Sequence, residues 1–234
     1  MPGVRFAASP DTTYYFMVDA QASAPGRLVF TIPRKTNLGL GLSKSTVPFG
    51  KSVTLTARLD PSAAAANPTV SIYSLVGTRE TLVKTGPVDE NGVLRVAVEA
   101  SRSLRFVARW AGGQGWRPAE SADVRLKVRT VVQATISGHH GRAGAYHLFR
   151  AGTALKQTCT VRPRHGGRPV VFAAERLGSG GWRRFATGKF KLSAKSSVSA
   201  FLAPPAGRYR VRCYLPKHFD HELGSSPWRY ARFS

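Results

Sequence analysis

The sequence predicts an all-β protein, a short incomplete β segment followed by two tandem β-sandwiches. Three observations carry that prediction. Apolar residues recur at every second position through most of the chain, turn-forming residues break the runs at short intervals, and the second half repeats the plan of the first. At 234 residues, 42% of them hydrophobic, the chain is long enough for two ordinary domains with a core each, and too apolar to be disordered. No apolar run approaches the roughly 18–20 residues that cross a bilayer, so no membrane insertion is expected.

Residues 1–35 hold about three strand-like runs: Arg5-Phe6-Ala7-Ala8, Thr12 to Asp19, and Gly26 to Ile32. Three strands leave a sheet face uncovered, so this segment is expected to be the C-terminal strands of a truncated β-module. The first sandwich is expected over residues 36–130. Leu38, Leu40 and Leu42 alternate, then Val53, Leu55, Ala57 and Leu59, then Val70 and Ile72. Val93, Val96 and Val98 follow less strictly, before Leu104, Phe106, Ala108 and Trp110, and finally Val124, Leu126 and Val128. Pro48-Phe49-Gly50, Asp60-Pro61, Asp89-Glu90-Asn91-Gly92 and Gly112-Gly113 punctuate the runs. Asn91-Gly92 predicts a hairpin, because both residues tolerate positive φ. Ala63 to Ala66 runs into Asn67-Pro68 and is expected to be a loop.

The second sandwich is expected over residues 131–234. Gly50 to Ala57 lines up with Gly152 to Cys159, Pro68-Thr69-Val70 with Pro169-Val170-Val171, and Leu104 to Ala108 with Tyr209 to Cys213. No flexible linker separates the halves, so the sandwiches are expected end to end with restricted articulation. In this alignment Cys159 falls where the first half has Ala57, and Cys213 where it has Ala108. Alternation puts Cys159 on the face of Leu155 and Val161, and Cys213 on that of Tyr209 and Val211, so both point into the core. Two buried thiols are one reading. A disulfide is the favoured one, since both positions are matched and exported proteins keep such bridges. Two cysteines without a Cys-x-x-Cys pattern do not support a zinc or thioredoxin-type site.

The formal charge of +23 is uneven: +2 over residues 1–36, +6 over 37–130 and +15 over 131–234. A basic second half attracts polyanions through counterion release. A solvated surface with a biased composition would carry the same charge without a ligand. Trp182-Arg183-Arg184 beside Lys189 and Lys191 is the candidate polyanion or glycan contact, with a hairpin capped by an aromatic as the plain alternative. Trp110, Trp116, Trp182 and Trp228 would form a carbohydrate platform if exposed; Trp110 alternates with core residues and reads as packing, whereas Trp116 and Trp182, in Gly-rich turns, are the better candidates for exposure. His139-His140 and His218-Phe219-Asp220-His221 are spaced too loosely to predict a metal, and Glu175, Asp220 and Glu222 are too few for calcium. Gly178-Ser179-Gly180-Gly181 reads as a hairpin turn and Gly39-Leu40-Gly41-Leu42 as a strand, neither having the context of a catalytic or dinucleotide motif. No catalytic residue, cofactor or metal is therefore predicted, and the chain is expected not to be an enzyme.

Residues 36–234 resemble bacterial immunoglobulin-like repeats of secreted and surface proteins, on Ser45-Thr46-Val47-Pro48-Phe49-Gly50-Lys51-Ser52-Val53-Thr54-Leu55 and the closing Ser225-Ser226-Pro227-Trp228-Arg229-Tyr230. Residues 1–35 resemble the end of a jelly-roll, pre-peptidase C-terminal type domain, on Thr12 to Asp19 and Gly26 to Ile32. The resemblance implies immunoglobulin-like sandwiches, an inter-sheet position for Cys159 and Cys213, and a spacer or adhesion role outside the cell. The start, Met1-Pro2-Gly3-Val4-Arg5-Phe6, lacks a signal-peptide pattern, so an upstream signal is expected. One departure concerns the tyrosine corner: the position two before the second cysteine is Val211, and Tyr209 lies two further back. The expected product is a monomeric, non-catalytic extracellular or cell-surface segment. Its partner, if any, is an anionic wall polymer or polysaccharide rather than a specific nucleic acid.

Overall fold

The computed structural model describes residues 33–60, 68–113 and 115–234, and Pro33–Ser234 form one compact unit. The pre-peptidase resemblance and the Ala63 to Ala66 loop lie outside the described residues. Every described element is a strand. The first sandwich contains β1 (Leu38–Leu42), β2 (Thr46–Pro48), β3 (Ser52–Leu59), β4 (Thr69–Val76), β5 (Arg79–Pro87), β6 (Val93–Glu99), β7 (Leu104–Trp110), β8 (Ala119–Glu120) and β9 (Val124–Arg129). The second contains β10 (Val131–Ser137), β11 (Gly141–Ala143), β12 (Tyr146–Phe149), β13 (Leu155–Arg162), β14 (Pro169–Gly178), β15 (Gly181–Lys191), β16 (Ser197–Leu202), β17 (Gly207–Leu215), β18 (Gly224–Ser225) and β19 (Arg229–Phe233).

The two sandwiches share one topology. Sheet β1-β3-β6 faces sheet β2-β9-β7-β4-β5, with β8 on β7; sheet β10-β13-β16 faces β11-β12-β19-β17-β14-β15, with β18 on β17. In each, a short early strand pairs in parallel with the last one, β2 with β9 and β12 with β19. Strand order and Greek-key connections are those of an immunoglobulin-like sandwich. Alternation along β3 and β13 buries Val53, Leu55, Ala57 and Leu59 in one core, and Leu155, Gln157, Cys159 and Val161 in the other. Cys159 on β13 and Cys213 on β17 are joined across the sheets, with Cα atoms 6.3 Å apart. Ala57 and Ala108, both fully buried, fill the corresponding place in the first sandwich. The tyrosine corner is kept in shifted form: Tyr209, fully buried, donates its hydroxyl to the Pro205 carbonyl at 3.0 Å.

Two local expectations differ from the structure. Asn91-Gly92 does not make a hairpin, because β5 pairs with β4 whereas β6 pairs with β3. The turn carries the chain between the sheets, and Asp89 Oδ1 holds it by accepting from the amides of Asn91 (3.0 Å) and Val93 (2.9 Å). The hairpin lies instead at Gly77-Thr78, where Val76 faces Arg79 and closes β4 on β5. Finally, Ile72 pairs with Ala108 as Phe172 pairs with Cys213. The counterpart of Val70 is therefore Val170, one residue before the sequence alignment put it.

A loop of the second sandwich forms the junction with the first. Ser103 N donates to Asp220 O at 2.7 Å, and Glu222 N to Val128 O at 2.7 Å. His221, 4% exposed, donates from Nε2 to the Ser101 carbonyl at 3.1 Å, and its ring lies 6.3 Å from that of Phe49. His165 stands edge-on to His221 with centroids 5.1 Å apart. Gly224 fits because it lacks a side chain: a Cβ there would lie 2.2 Å from the Thr130 carbonyl oxygen.

Candidate functional site

Strand β17 builds the candidate site. Tyr209, Val211 and Cys213 point into the core, so Arg208, Arg210 and Arg212 point out. Cross-strand register extends this outer face into a continuous row, from Tyr146 on β12 through Tyr230 on β19, Arg210 on β17 and Glu175 on β14 to Arg184 on β15. Trp182 faces Leu177, Lys189 faces Val171 and Lys191 faces Pro169 on the same side. The bulge between Ala174 and Glu175 puts the pairing back in step, so that Arg184 is brought opposite Glu175.

Arg210 is the centre of the face. Its guanidinium lies 4.8 Å from the Trp182 ring centroid and 4.4 Å from that of Trp228, while Arg212 stacks on Trp228 at 4.3 Å. Glu175 accepts from Arg210 Nε at 2.7 Å. Tyr230 closes the row against Trp182 at 5.8 Å and Tyr146 at 5.6 Å, and Arg208 lies over Tyr146 at 5.9 Å. Cation–π contacts of this kind hold guanidinium planes in place and leave their edges to hydrogen-bond in the plane, as Arg210 does with Glu175. The result is a stiff, positively charged platform.

Of the residues singled out in the sequence, Trp182, Arg184, Lys189 and Lys191 share this outer face. Arg183 does not: it pairs with Arg176, whose guanidinium lies over Tyr209. Trp182 is half-buried within the stack rather than exposed, and Trp116 is half-buried against the first core, with Arg34 over its ring at 5.9 Å. Of the other members of the face, Trp228 is a candidate in the sequence, whereas Arg208, Arg210, Arg212 and Tyr230 are not singled out there. The alternating Arg-x-Arg-x-Arg that ends at Cys213 is the signal that marks them. The histidine runs serve elsewhere: His218 donates to Asp220 at 2.7 Å within the junction loop, and His139 packs edge-on against His147 at 4.4 Å. Among the described residues no group of three or more His, Cys, Asp or Glu is placed to hold a metal ion.

The outer faces differ in charge. Arg184, Lys189, Lys191, Arg208, Arg210, Arg212 and Arg232 line the large sheet of the second sandwich, with Glu175 as the carboxylate among them. The opposite sheet turns out Lys156 and Arg162 on β13, among Thr158, Thr160, Ser197 and Ser199. On the corresponding sheet of the first sandwich the two arginines of β7 are paired with carboxylates. Arg109 is bonded by both Glu80 and Glu120, and Arg105 pairs with Asp123 at 3.0 Å.

No protein-family model matches the chain, and no curated protein matches its sequence. Solved structures do match. A part of trypsin-activated α2-macroglobulin from Escherichia coli is similar over 87% of this chain, at 11% identity and a TM-score of 0.37, and this chain spans 17% of that protein's length. The D0–D1 domain of intimin is similar over 85% of this chain and 98% of its own, at 14% identity and a TM-score of 0.31. The interferon gamma receptor alpha chain of chicken is similar over 84% of this chain and 97% of its own, at 11% identity and a TM-score of 0.48. The immunoglobulin-like fold rests on the strand pairing itself.

Proposed function

We propose that this chain is a non-catalytic structural or adhesion segment of an extracytoplasmic protein, and that its second sandwich holds an anionic wall polymer or acidic polysaccharide against the outer face of the large sheet. One observation carries the reading: Arg184, Lys189, Lys191, Arg208, Arg210, Arg212 and Arg232 share one face of the second sandwich with Glu175 as the carboxylate among them, whereas Arg105 and Arg109 on the corresponding sheet of the first are matched by three carboxylates. Fixed guanidinium planes beside tryptophan and tyrosine rings suit a polymer of charged sugars, with the charges holding the anions and the rings offering apolar contact. The disulfide supports an oxidising compartment. None of the described residues forms a helix, so none is long and apolar enough to cross a membrane.

Heparin serves as the probe. Reversing Arg184, Lys189 and Lys191 to glutamate should weaken binding about tenfold or more and flatten the dependence of affinity on salt. Reversing Lys156 and Arg162 should change it far less. Equal losses for both sets, or affinity indifferent to salt, would refute the face as the binding surface.

A further inference from the structure

The two sandwiches serve as references for one another. Leu55 pairs with Leu42 and Val96 just as Gln157 pairs with Ile136 and Ala200. Where the first core has a fully buried leucine, the second has an amide with 4% exposure. Gln157 Nε2 is buried with no hydrogen-bond partner among the described residues, a costly exception in a protein interior. Volume falls at the neighbouring position too, where Val96 is replaced by Ala200.

Beside these positions lies a cavity of about 190 Å³ on the flank between edge strands β15 and β16, lined by Phe172, Phe190, Ala186, Ala200 and Leu202 together with Gln157. Phe172 and Phe190 meet edge-on at 5.2 Å. Gly188 lets the Phe190 ring fold over its own strand, since a Cβ there would stand 2.7 Å from that ring. The cavity is separate from the cationic face, because Ala186 and Phe190 turn inward from β15 whereas Lys189 and Lys191 turn outward.

We infer that this groove binds a small apolar group, one ring or a short branched chain in size, carrying a carbonyl, ester or hydroxyl oxygen that accepts a hydrogen bond from Gln157. An apolar cavity of roughly 150 Å³ already holds benzene, so the space suits a single ring. The apolar walls supply affinity, and the one unmatched donor selects a ligand with an acceptor over its hydrocarbon analogue. The first sandwich shows the same fold closed by hydrocarbon at the matching positions.

Acetophenone, a ring with a carbonyl acceptor, and toluene, the ring without it, are the probes, titrated into the full isotope-labelled chain. Acetophenone should produce saturable shifts of the Gln157 side-chain amide and of the amides of Phe172 and Phe190, binding about tenfold more tightly than toluene. Gln157→Leu, the first sandwich's residue, should raise the melting temperature and abolish the preference. Ala200→Val should fill the groove and abolish binding with Gln157 intact. Equal binding of the two probes, shifts that never saturate, or a preference unchanged in Gln157→Leu would overturn the assignment.

Discussion

Cys159 and Cys213 occupy two core positions that the first sandwich fills with Ala57 and Ala108. The fold therefore does not require a bridge there. What the bridge adds acts mainly through the unfolded chain: closing a separation of 54 residues restricts the denatured ensemble by about 4 kcal/mol in the loop-entropy treatment. Reduction should accordingly lower the unfolding midpoint of the second sandwich and leave that of the first unchanged. The double variant Cys159→Ala/Cys213→Ala should still fold, with the lowered stability. Denaturant unfolding followed at the tryptophans of each half checks this, and equal loss in both halves would contradict it. Tyr209 makes a related point about sequence reading. Its displacement by two residues from the usual place looked like a departure, yet its hydroxyl still ties the strand to the chain just upstream, at Pro205.

At the level of elements, alternation located the strands with one buried face and missed those without one. β5 was invisible because Arg79 to Leu82 are all exposed, and its burial pattern shows no period of two. The short strands β2 and β8 offer too few residues for any pattern. Asn91-Gly92 misled because a turn motif specifies local geometry, not which strands it joins. The junction loop likewise shows in the sequence only as a histidine run, since its partners Ser101, Ser103 and Val128 lie about a hundred residues away. That loop should respond to acid. Burial holds His165 below its ordinary value, and the neighbouring His221, His218 and Arg168 add to this against the opposing carboxylate of Asp220. The unfolded chain thus takes up a proton at this site before the folded one does. Stability is complete above about pH 6.5 and falls as the pH drops below it. Asp220 follows lower down. Burial raises it, but the bonds from His218 and His221 prevail and hold it at about 2, so its contribution is present above the usual carboxylate range and lost as the pH approaches 2. Between about pH 7 and 5 the melting temperature should fall, and fall less in His165→Phe; an identical pH profile for the two proteins would contradict the role of His165.

For the whole molecule, the distribution of charge between the halves was legible from the sequence, but its distribution between faces was not. The +15 of residues 131–234 locates the basic domain. Only strand register shows that Arg208, Arg210 and Arg212 stand beside Arg184 and Lys189, and that Arg183 turns away. The stack of Trp182 on β15, Arg210 on β17 and Trp228 in the segment before β19 brings together residues from separate stretches of the chain, which local periodicity cannot reveal. The first sandwich, with Glu80, Glu120 and Asp123 set against Arg109 and Arg105, acts as an internal control for the second. The most direct measurement is therefore a map, residue by residue, of where an anionic polymer touches the full chain, made by titrating a short heparin oligosaccharide and following backbone amide shifts at low and high salt. The account predicts shifts confined to β15, β17 and β19 that salt reverses. Shifts spread evenly over both sandwiches, or centred on the sheet β10-β13-β16, would contradict it.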